Sequence, residues 1–307
     1  MSEAPAAPPD SPFARAQNLV LSIWRHPANR SRRIRGLAGF FAWQFFKHVL
    51  KRPVVIRFHG KRLKCYPDST STSGALYFSG YPDFWEMKFL KAYLRPADNF
   101  LDIGANSGVY SILAAACIGD AGHVDAFEPV DRTAVRIEEQ AALNQLDNLS
   151  VHRFAVSDQC GELEFGYSGD DATMHLRRAD ERAANPIVVK SITLDSFEPY
   201  PRYAAGKMDI EGAEPMALAG AAARLAQRNP PVWLLELAGY STCYGISSDE
   251  VVEQLAGSGF DCAVFDVSSR TLRYTSKPWE LGVQNVLAIA REQKAVVEQR
   301  LATGTLQ

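Results

Sequence analysis

The sequence predicts an α/β fold built on a doubly wound, mostly parallel β-sheet. From residue 98 onward, short apolar runs alternate with segments of helical spacing, which is the βαβ order of such folds. The apolar runs are continuous, as expected of parallel strands buried on both faces. A glycine-containing turn at residues 102–108 joins the first run to the first helix. Open α/β sheets bind their ligands at such turns, beyond the carboxyl ends of the strands.

The sequence before residue 98 predicts a disordered tail and an extension that precede the sheet. Residues 1–12 contain four prolines and no continuous apolar run, so we expect a disordered tail without an export signal. Residues 34–50 are the most apolar stretch, but they are too short for a membrane span, which needs about 20 apolar residues. As a helix this stretch is amphipathic, because its polar and aromatic residues lie on opposite faces. The polar face consists of Gln44, Lys47, His48 and Lys51, and the apolar face includes Phe41, Phe45 and Val49.

Two further elements complete the extension. Pro53 ends the helix, and residues 54–58 and 62–66 flank a turn that contains Gly60, which predicts a β-hairpin. Residues 84–94 have helical spacing, and Pro96 closes that segment. The sequence therefore predicts four parts, which are a disordered tail at 1–12, a basic helical and hairpin extension at 13–97, the main domain at 98–292 and a C-terminal tail at 293–307.

The sequence of the main domain predicts seven strands with helices between them. The strands are expected at residues 99–104, 123–129, 149–157, 205–210, 232–237, 263–267 and 286–290. The helices are expected at residues 109–119, 134–146, 213–227 and 249–256.

Charge is distributed unevenly along the chain, although the net charge is only −2. Residues 13–64 carry 13 of the 33 Lys and Arg and no Asp or Glu, whereas the remainder is acidic. Two interpretations of the basic amphipathic helix follow: its apolar face packs on the main domain, or the helix binds an anionic membrane through residues 13–52. The acidic main domain also lacks an Asn/Asp-Pro-Pro-Tyr motif, which argues against a nucleic acid as substrate.

The cysteines and histidines predict neither a disulfide framework nor a metal site. The five cysteines are scattered and form no Cys-x-x-Cys pair, which favours a reduced cytoplasmic compartment. The six histidines show no zinc-ligand spacing with one another or with a cysteine. We therefore expect a cytoplasmic protein without a metal, peripheral at the inner membrane face if the basic helix binds lipid.

Two motifs together indicate an adenosine-containing cofactor. In the turn at residues 102–108, Gly104 and Gly108 let the backbone turn sharply and approach a ligand, and the next helix presents its N-terminal amides there. Glu128 ends the second strand, about 20 residues beyond this turn, where a carboxylate accepts hydrogen bonds from both ribose hydroxyls. Ser157 and Asp158 follow the third strand and either border the adenine or form a capped turn.

Carboxylates crowd the end of the fourth strand. Asp209, Glu211 and Glu214 lie in the segment 207–214 (KMDIEGAE), at the edge where open sheets bind ligands. The two glutamates also suit the N-terminus of the next helix, where the helix dipole favours negative charge. Asp209 lies inside the strand pattern and needs a partner there. Glu236 ends the next strand and is a second candidate for the same site.

These motifs resemble those of the FkbM family of S-adenosylmethionine-dependent methyltransferases. The resemblance runs from residue 77 to residue 290 and rests on six segments in a fixed order. They are residues 102–108 (DIGANSG), 128–129 (EP), 155–158 (AVSD) with Gly161, 193–195 (TLD), 207–214 and 234–237 (LLEL). The resemblance implies a class I methyltransferase (Rossmann-like) fold, with a sheet of seven strands that includes one antiparallel edge strand. It also implies methyl transfer to a hydroxyl of a sugar, glycan or secondary metabolite.

The resemblance implies roles for individual residues, with S-adenosylmethionine as the cofactor. The residues expected around its methionine portion are Asp102, Gly104, Ala105, Asn106 and Gly108. Glu128 is expected at its ribose, and Ser157 and Asp158 at its adenine. Asp209 is expected to contact the cofactor and to act as the general base, with Glu211 orienting the acceptor and Glu236 as a further catalytic candidate.

Two other functions stay open from the sequence. A nicotinamide-dependent dehydrogenase has a similar fold, although the turn lacks the third glycine of Gly-x-Gly-x-x-Gly. A membrane-docked module that binds the cofactor without transferring a methyl group would keep the same motifs. Binding of S-adenosylmethionine against NAD distinguishes the first alternative, and product formation distinguishes the second.

Overall fold

The computed structural model describes residues 12–69, 79–166, 175–177, 186–198 and 201–304. The chain divides into two units, which are residues 1–56 with 64–84, and residues 57–63 with 85–307. Residues 1–11 of the predicted disordered tail and residues 305–307 of the predicted C-terminal tail lie outside the described residues. The domain boundaries expected from the sequence stay predictions.

The described part of the first unit includes the helices α1 (Pro12–Arg25) and α2 (Arg33–Phe45), and α2 continues directly into a π-helical turn, Phe46–Leu50. The predicted helix at residues 34–50 is thus confirmed, whereas the sequence did not predict α1. Between them, the buried Asn29 donates a hydrogen bond from Nδ2 to the Ile23 carbonyl at 3.0 Å. A Cβ atom at Gly36 would lie 2.6 Å from the same Asn29 nitrogen, so the glycine allows α2 to approach this connection closely.

The predicted hairpin and the helix after it are also present. Strands β1 (Val54–Phe58) and β2 (Lys61–Cys65) form a two-stranded sheet, joined by His59 and Gly60 with φ angles of +47° and +83°. The boundary between the two units passes through this hairpin. Helix α3 (Phe84–Tyr93) follows, and it is rich in buried side chains.

The second unit is organised around an eight-stranded sheet. In chain order its strands are β3 (Asn99–Ile103), β4 (His123–Phe127), β5 (Leu149–His152), β10 (Ala205–Met208), β11 (Val232–Glu236), β12 (Phe260–Asp266), β13 (Thr271–Tyr274) and β14 (Asn285–Ala290). Across the sheet they lie in the order β13-β12-β14-β11-β10-β3-β4-β5. Strands β11, β10, β3, β4 and β5 pair in parallel, which confirms the predicted doubly wound α/β class.

Helices connect these strands. They are α4 (Val109–Ile118), α5 (Asp131–Asn144), α6 (Glu214–Ala219), α7 (Ala222–Ala226), α8 (Ser248–Gly257) and α9 (Lys294–Thr303). The last of them, α9, occupies most of the predicted C-terminal tail and buries Val297 and Leu301. The predicted helix at residues 213–227 is broken into α6 and α7 at Gly220, where a Cβ atom would lie 2.0 Å from the Ser157 carbonyl oxygen.

The strand count and the place of the antiparallel strand differ from the prediction of seven strands with one antiparallel edge strand. Strand β14 is antiparallel but lies inside the sheet, between β11 and β12. Its residues 286–290 are all buried, which an edge strand cannot achieve. The edge strand is an eighth one, β13, which pairs antiparallel with β12 through a turn in which Asp266 accepts hydrogen bonds from the backbone amides of Ser268 and Ser269.

A second sheet of four strands is inserted between β5 and β10. Its strands are β6 (Ala155–Val156), β7 (Gly161–Gly166), β8 (His175–Leu176) and β9 (Ile187–Ile192), in the order β6-β9-β7-β8. The predicted strand at residues 149–157 is therefore wrong as a single element, because its two halves pair in different sheets. The chain turns at Phe154, whose amide donates a hydrogen bond to the His152 carbonyl at 2.9 Å.

The centre of the main sheet fixes where the site lies. Strands β11, β10, β3 and β4 are parallel neighbours, so their carboxyl ends meet at one edge. Gly206 on β10 is in register with Trp233 on β11, and a Cβ atom at Gly206 would lie 2.7 Å from the indole ring. The glycine thus makes room for the buried tryptophan and lets the two strands pack. Asp102, Glu128, Asp209 and Glu236 all lie at or near this common edge.

Candidate active site

The three predicted catalytic residues lie together at the carboxyl edge of the sheet. Asp209 follows β10, Glu211 lies two residues further, and Glu236 ends β11. One carboxylate oxygen of each lies within 4.8 Å of an oxygen of the other two. The Asp209 side chain is 37% exposed, so it is accessible to a bound molecule. The structure thus brings these residues into one cluster, and their catalytic roles stay predictions.

Lys207 is the cation of this cluster, and the sequence analysis assigned it no role. It lies on β10, and its buried Nζ donates a hydrogen bond to Asp209 Oδ2 at 2.9 Å. The same nitrogen lies 4.8 Å from the centre of the Tyr110 ring, a cation–π contact. In the sheet, Lys207 is in register with Asp102 of β3. The signal in the sequence was a lysine within an otherwise apolar strand, because a buried charge requires partners.

The proton of the cluster resides on Glu236. Burial, together with the negative charges of Asp209 and Glu211, raises the pKa of Glu236 to about 9. Burial also acts to raise the pKa of Asp209, but the Lys207 ammonium and a hydrogen bond with Glu236 outweigh burial, so this pKa is lowered. At neutral pH, Asp209 is therefore ionised while Glu236 is protonated and shares its proton with Asp209. The other Glu236 oxygen, Oε2, is buried and has no hydrogen-bond partner among the described residues.

The carboxylate cluster has the spacing of a cation site, but part of its negative charge is offset from within the chain. Three oxygens within 4.8 Å of one another suit a divalent ion. The Lys207 ammonium already offsets the charge of Asp209, and protonation removes that of Glu236. The sequence predicts no metal at this site.

The loop after Asp209 is held by its own contacts. Glu211 adopts a φ of +57°, which is uncommon for a residue with a side chain, and Gly212 has a φ of +99°. A Cβ atom at Gly212 would lie 2.5 Å from the Tyr240 backbone, so only glycine fits there. The buried Glu214 accepts a hydrogen bond from the Ile210 amide at 2.9 Å, and burial raises its pKa to about 7. Glu214 therefore shapes the loop that carries Glu211.

The turn between β3 and α4 places Asp102 beside the cluster. Asp102 is fully buried, and its Oδ2 accepts a hydrogen bond from Ser111 Oγ at 2.6 Å. Burial raises the pKa of Asp102, and the Lys207 ammonium acts against that rise. The second oxygen, Oδ1, is buried without a hydrogen-bond partner in the described part of the chain. An acceptor in this state is suited to a cationic donor that the described residues do not provide.

Gly104 and Gly108 were predicted to let the backbone turn sharply beside a ligand, and the structure shows that they also allow close packing within the chain. A Cβ atom at Gly104 would lie 2.0 Å from the Asp209 carbonyl oxygen, so the glycine first of all allows β3 and β10 to approach. Gly108, with a φ of +80°, precedes α4 and faces Ile137. Ala105 is buried in a small cluster with Ile137, and Asn106 adopts a φ of +51°. The turn therefore packs against Ile137 and the Asp209 backbone, and its contact with a cofactor stays a prediction.

Glu128 fixes the end of β4 and has few acceptor positions left. The Asn106 amide donates to Oε2 at 2.9 Å, while the Val130 amide and Thr133 Oγ donate to Oε1 at 3.0 and 2.8 Å. Burial raises the pKa of this carboxyl. A carboxylate offers roughly four acceptor positions, so three of them are used within the chain. The geometry has room for one further hydrogen bond, whereas the sequence predicted bonds to both ribose hydroxyls.

The two residues predicted at the adenine belong to the second sheet. The Ser157 amide donates a hydrogen bond to the Ile192 carbonyl at 3.0 Å, next to the pairing of β6 with β9. Ser157 Oγ donates to Asp158 Oδ1 at 3.0 Å, a hydrogen bond between neighbouring side chains. Ser157 is buried and Asp158 is exposed. Their place at the adenine remains a prediction.

The raised pKa of Glu236 predicts a measurable pH dependence of stability. The folded chain holds this proton up to about pH 9, whereas a glutamate in the unfolded chain releases it near 4.5. The contribution is complete below pH 4.5 and is lost as the pH rises to 9, at up to about 1.4 kcal/mol per pH unit. We expect Glu236→Gln to remove this slope, so the variant gains free energy of unfolding over the parent as the pH rises.

Denaturant unfolding of both proteins between pH 5 and 9 measures the effect. The exposed Glu253 provides the matched control, since Glu253→Gln changes the same chemical group away from the cluster. A constant difference between Glu236→Gln and the parent across this range would show that Glu236 is ionised in the folded chain.

Comparison with known proteins places these residues in a family context. No curated protein matches this sequence. The family model described as the methyltransferase FkbM domain matches residues 102–260, which is just over half of the chain. The matched region begins at Asp102 and contains Glu128, Asp209, Glu211 and Glu236.

Solved structures show a more distant likeness. A putative rRNA methylase from Clostridium thermocellum shares 11% identity with a TM-score of 0.42, over 66% of this chain and 90% of that one. A SAM-dependent methyltransferase from Aquifex aeolicus shares 13% identity with a TM-score of 0.40, over 73% of this chain and 94% of that one. Fibrillarin from Aeropyrum pernix, solved with natively bound S-adenosyl-L-methionine, shares 12% identity with a TM-score of 0.37, over 67% of this chain and 73% of that one. At such identities these structures carry no information about the acceptor of this chain.

Proposed function

This chain belongs to the methyltransferase FkbM domain family, and we propose that it methylates a hydroxyl oxygen of a sugar, glycan or secondary metabolite. Membership in the family makes it an S-adenosylmethionine-dependent methyltransferase, and the class I methyltransferase fold follows from it. The nature of the acceptor is the part that is proposed here.

One observation supports a hydroxyl acceptor, which is the ionised Asp209 at the edge of the sheet. Its carboxylate is held by Lys207 at 2.9 Å, has a lowered pKa and keeps 37% of its side chain exposed. A hydroxyl is a weak nucleophile that keeps its proton at neutral pH, so a carboxylate that accepts this proton as the new bond forms accelerates transfer by about 10² to 10⁴-fold. A neutral amine gains less, because it is nucleophilic before it loses a proton.

The residues around Asp209 fit the cofactor of the family. Bound S-adenosylmethionine supplies an electrophilic methyl group on a sulfonium. The unpartnered, buried oxygen of Asp102 is an acceptor for the α-ammonium of the methionine portion. The remaining acceptor position of Glu128 suits one ribose hydroxyl. The carboxylates of Asp102, Asp209 and Glu211 outnumber the one ammonium of Lys207 in the cluster, which favours a positively charged ligand.

The chain's own residues then handle the proton. Lys207 restrains Asp209 at Oδ2 and keeps the carboxylate ionised, while Glu236 supplies a neutral neighbour. Asp209 accepts the proton of the acceptor hydroxyl and releases it to solvent, to which its side chain is partly exposed. Glu211, fixed by the loop at Gly212, orients the acceptor. Most of the rate still comes from alignment of the two reactants, which supplies about 7 to 11 kcal/mol in well-positioned systems.

We expect Asp209→Asn to lower turnover by at least about 10²-fold, because the amide keeps the shape and loses the base. The dissociation constant of S-adenosylmethionine should change much less. Acceptors are found by mass spectrometry, as compounds with a free hydroxyl that gain the mass of one methylene unit, and kcat is then measured on the best one. Glu211→Gln is the matched control and should mainly raise the KM of the acceptor. Parental turnover by Asp209→Asn would exclude Asp209 as the base.

We expect Glu128→Gln to weaken S-adenosylmethionine binding by about 10- to 100-fold, since a charge-assisted hydrogen bond contributes about 1.5 to 3 kcal/mol. The glutamine keeps the volume of the side chain, but its amide nitrogen cannot accept a hydrogen bond, so the bond from Asn106 or the bond from Val130 is lost. Circular dichroism of the variant therefore checks that its fold is retained. Calorimetry measures the dissociation constant, and Asp131→Asn, an exposed carboxylate at the start of α5, is the control. Equal affinity in Glu128→Gln and the parent would leave Glu128 with its structural role alone. Preferential binding of NAD by the parent would instead favour a dehydrogenase.

A further inference from the structure

Exposed apolar side chains are concentrated near the N-terminus of the described chain. Nine of the 15 large hydrophobic residues that are exposed among the described residues lie between positions 19 and 55. They are Leu19, Leu21, Trp24, Ile34, Phe41, Phe45, Val49, Leu50 and Val55. Soluble proteins rarely group exposed apolar residues in this way, and such a patch marks an interaction surface.

The strongest part of this surface is one face of α2. Its members are spaced by four, three, four and four residues, which places them on one side of a helix. This α2 stripe consists of Ile34, Ala38, Phe41, Phe45 and Val49, and its four large side chains are 79, 62, 51 and 64% exposed.

The remaining faces of α2 are the better covered ones. Gly36 and Trp43 are buried, and the polar Gln44 and Lys47 are only partly exposed, whereas His48 and Lys51 at the end of the polar face are exposed. A helix of a soluble protein shows the opposite arrangement, with its apolar face covered and its polar face in water. The sequence offered two interpretations of this helix, and the exposure of the stripe is the arrangement that suits an external partner.

Basic residues flank both ends of the α2 stripe. Arg32, Arg33 and Arg35 are exposed at its start, and Lys51 and Arg52 are exposed just after its end. Residues 13–64 contain no Asp or Glu, so no acidic residue nearby in the sequence offsets these charges. Arginine and lysine have long apolar stems with a charged end, which lets them reach phosphate groups while the neighbouring side chains insert among lipid chains.

We propose that the α2 stripe and its flanking basic residues bind the surface of an anionic lipid bilayer, with α2 lying in the plane of the interface. An apolar face with cationic ends matches the two layers of such a surface, which are acyl chains below and negative headgroups above. Pairing of two copies through the stripe would bring two clusters of positive charge together. None of the helices in the described part of the chain has the length and hydropathy of a membrane span, so the contact is peripheral.

The test is co-sedimentation of the full-length protein with phosphatidylcholine vesicles, with and without about one quarter phosphatidylglycerol. We expect binding to the anionic vesicles only, decreasing as salt rises from about 50 to 500 mM, because salt screens exposed charges. Two variants probe the two components, Phe41→Gln/Phe45→Gln/Val49→Gln for the stripe and Arg32→Gln/Arg33→Gln/Arg35→Gln for the charge. Each should bind roughly tenfold more weakly or worse.

Matched controls carry the same changes on exposed residues of the other unit. They are Val135→Gln/Val188→Gln/Val296→Gln for apolar residues and Lys190→Gln/Arg273→Gln/Lys277→Gln for basic ones, and we expect both to bind like the parent. Equal binding of the parent to neutral and anionic vesicles, or parental binding by the stripe variant, would overturn the proposal. So would a dimer in solution that the stripe variant converts to monomer while the parent ignores vesicles.

Hydrogen exchange of the parent protein keeps the test decisive if a variant does not fold. Anionic vesicles should slow exchange in peptides that cover residues 33–50, and neutral vesicles should not. Slowed exchange elsewhere in the chain with no change at residues 33–50 would place the lipid contact outside α2 and contradict the proposal.

Discussion

The buried ammonium of Lys207 is the constraint on which the rest of the site depends. A charged group inside a parallel sheet is costly unless opposite charges and hydrogen bonds surround it. Here Asp209 accepts its hydrogen bond at 2.9 Å, Asp102 lies beside it in the strand register, and the Tyr110 ring faces it at 4.8 Å. Replacing the lysine alone would leave the buried Asp102 and the partly exposed Asp209 without this counter-charge. The charge of each of these three residues therefore depends on the other two.

Lys207 and its carboxylates determine which of the neighbouring carboxyls is protonated. Lys207 stabilises the ionised form of Asp209, and the ionised Asp209 in turn disfavours a second charge on Glu236. Asp209 and Glu236 thus obtain opposite protonation states from their surroundings. In this way the same functional group, a carboxyl, provides both an acid and a base. Both carboxyls are partly exposed, and the ionised Asp209 is the one that the proposed acceptor hydroxyl requires. The close approach of β3 and β10, which Gly104 allows, brings the β3 turn and Asp209 together.

Much of this arrangement was predictable from the sequence, because it follows from local patterns. Continuous apolar runs predicted the central strands, and their parallel order predicted that Asp209, Glu211 and Glu236 share an edge. The role of Lys207 was not predictable, because its partner Asp102 is recognised only when the register of β10 against β3 is known. The reason for Gly104 depends on the Asp209 carbonyl, which lies far away in the sequence. Strand β13 was missed because four residues carry too little periodicity, and the exposed face of α2 depends on packing that no helical pattern encodes.

Spectroscopy can show whether Asp209 or Glu236 holds the shared proton. Isotope-edited infrared spectroscopy at neutral pH detects a protonated carboxyl through its C=O stretch, in the parent, in Glu236→Gln and in Asp209→Asn. If Lys207 keeps Asp209 ionised and the proton resides on Glu236, the band is present in the parent, absent in Glu236→Gln and retained in Asp209→Asn. A band that survives Glu236→Gln and disappears in Asp209→Asn would show a neutral Asp209, and the account of this site as a base prepared by a buried lysine would be wrong.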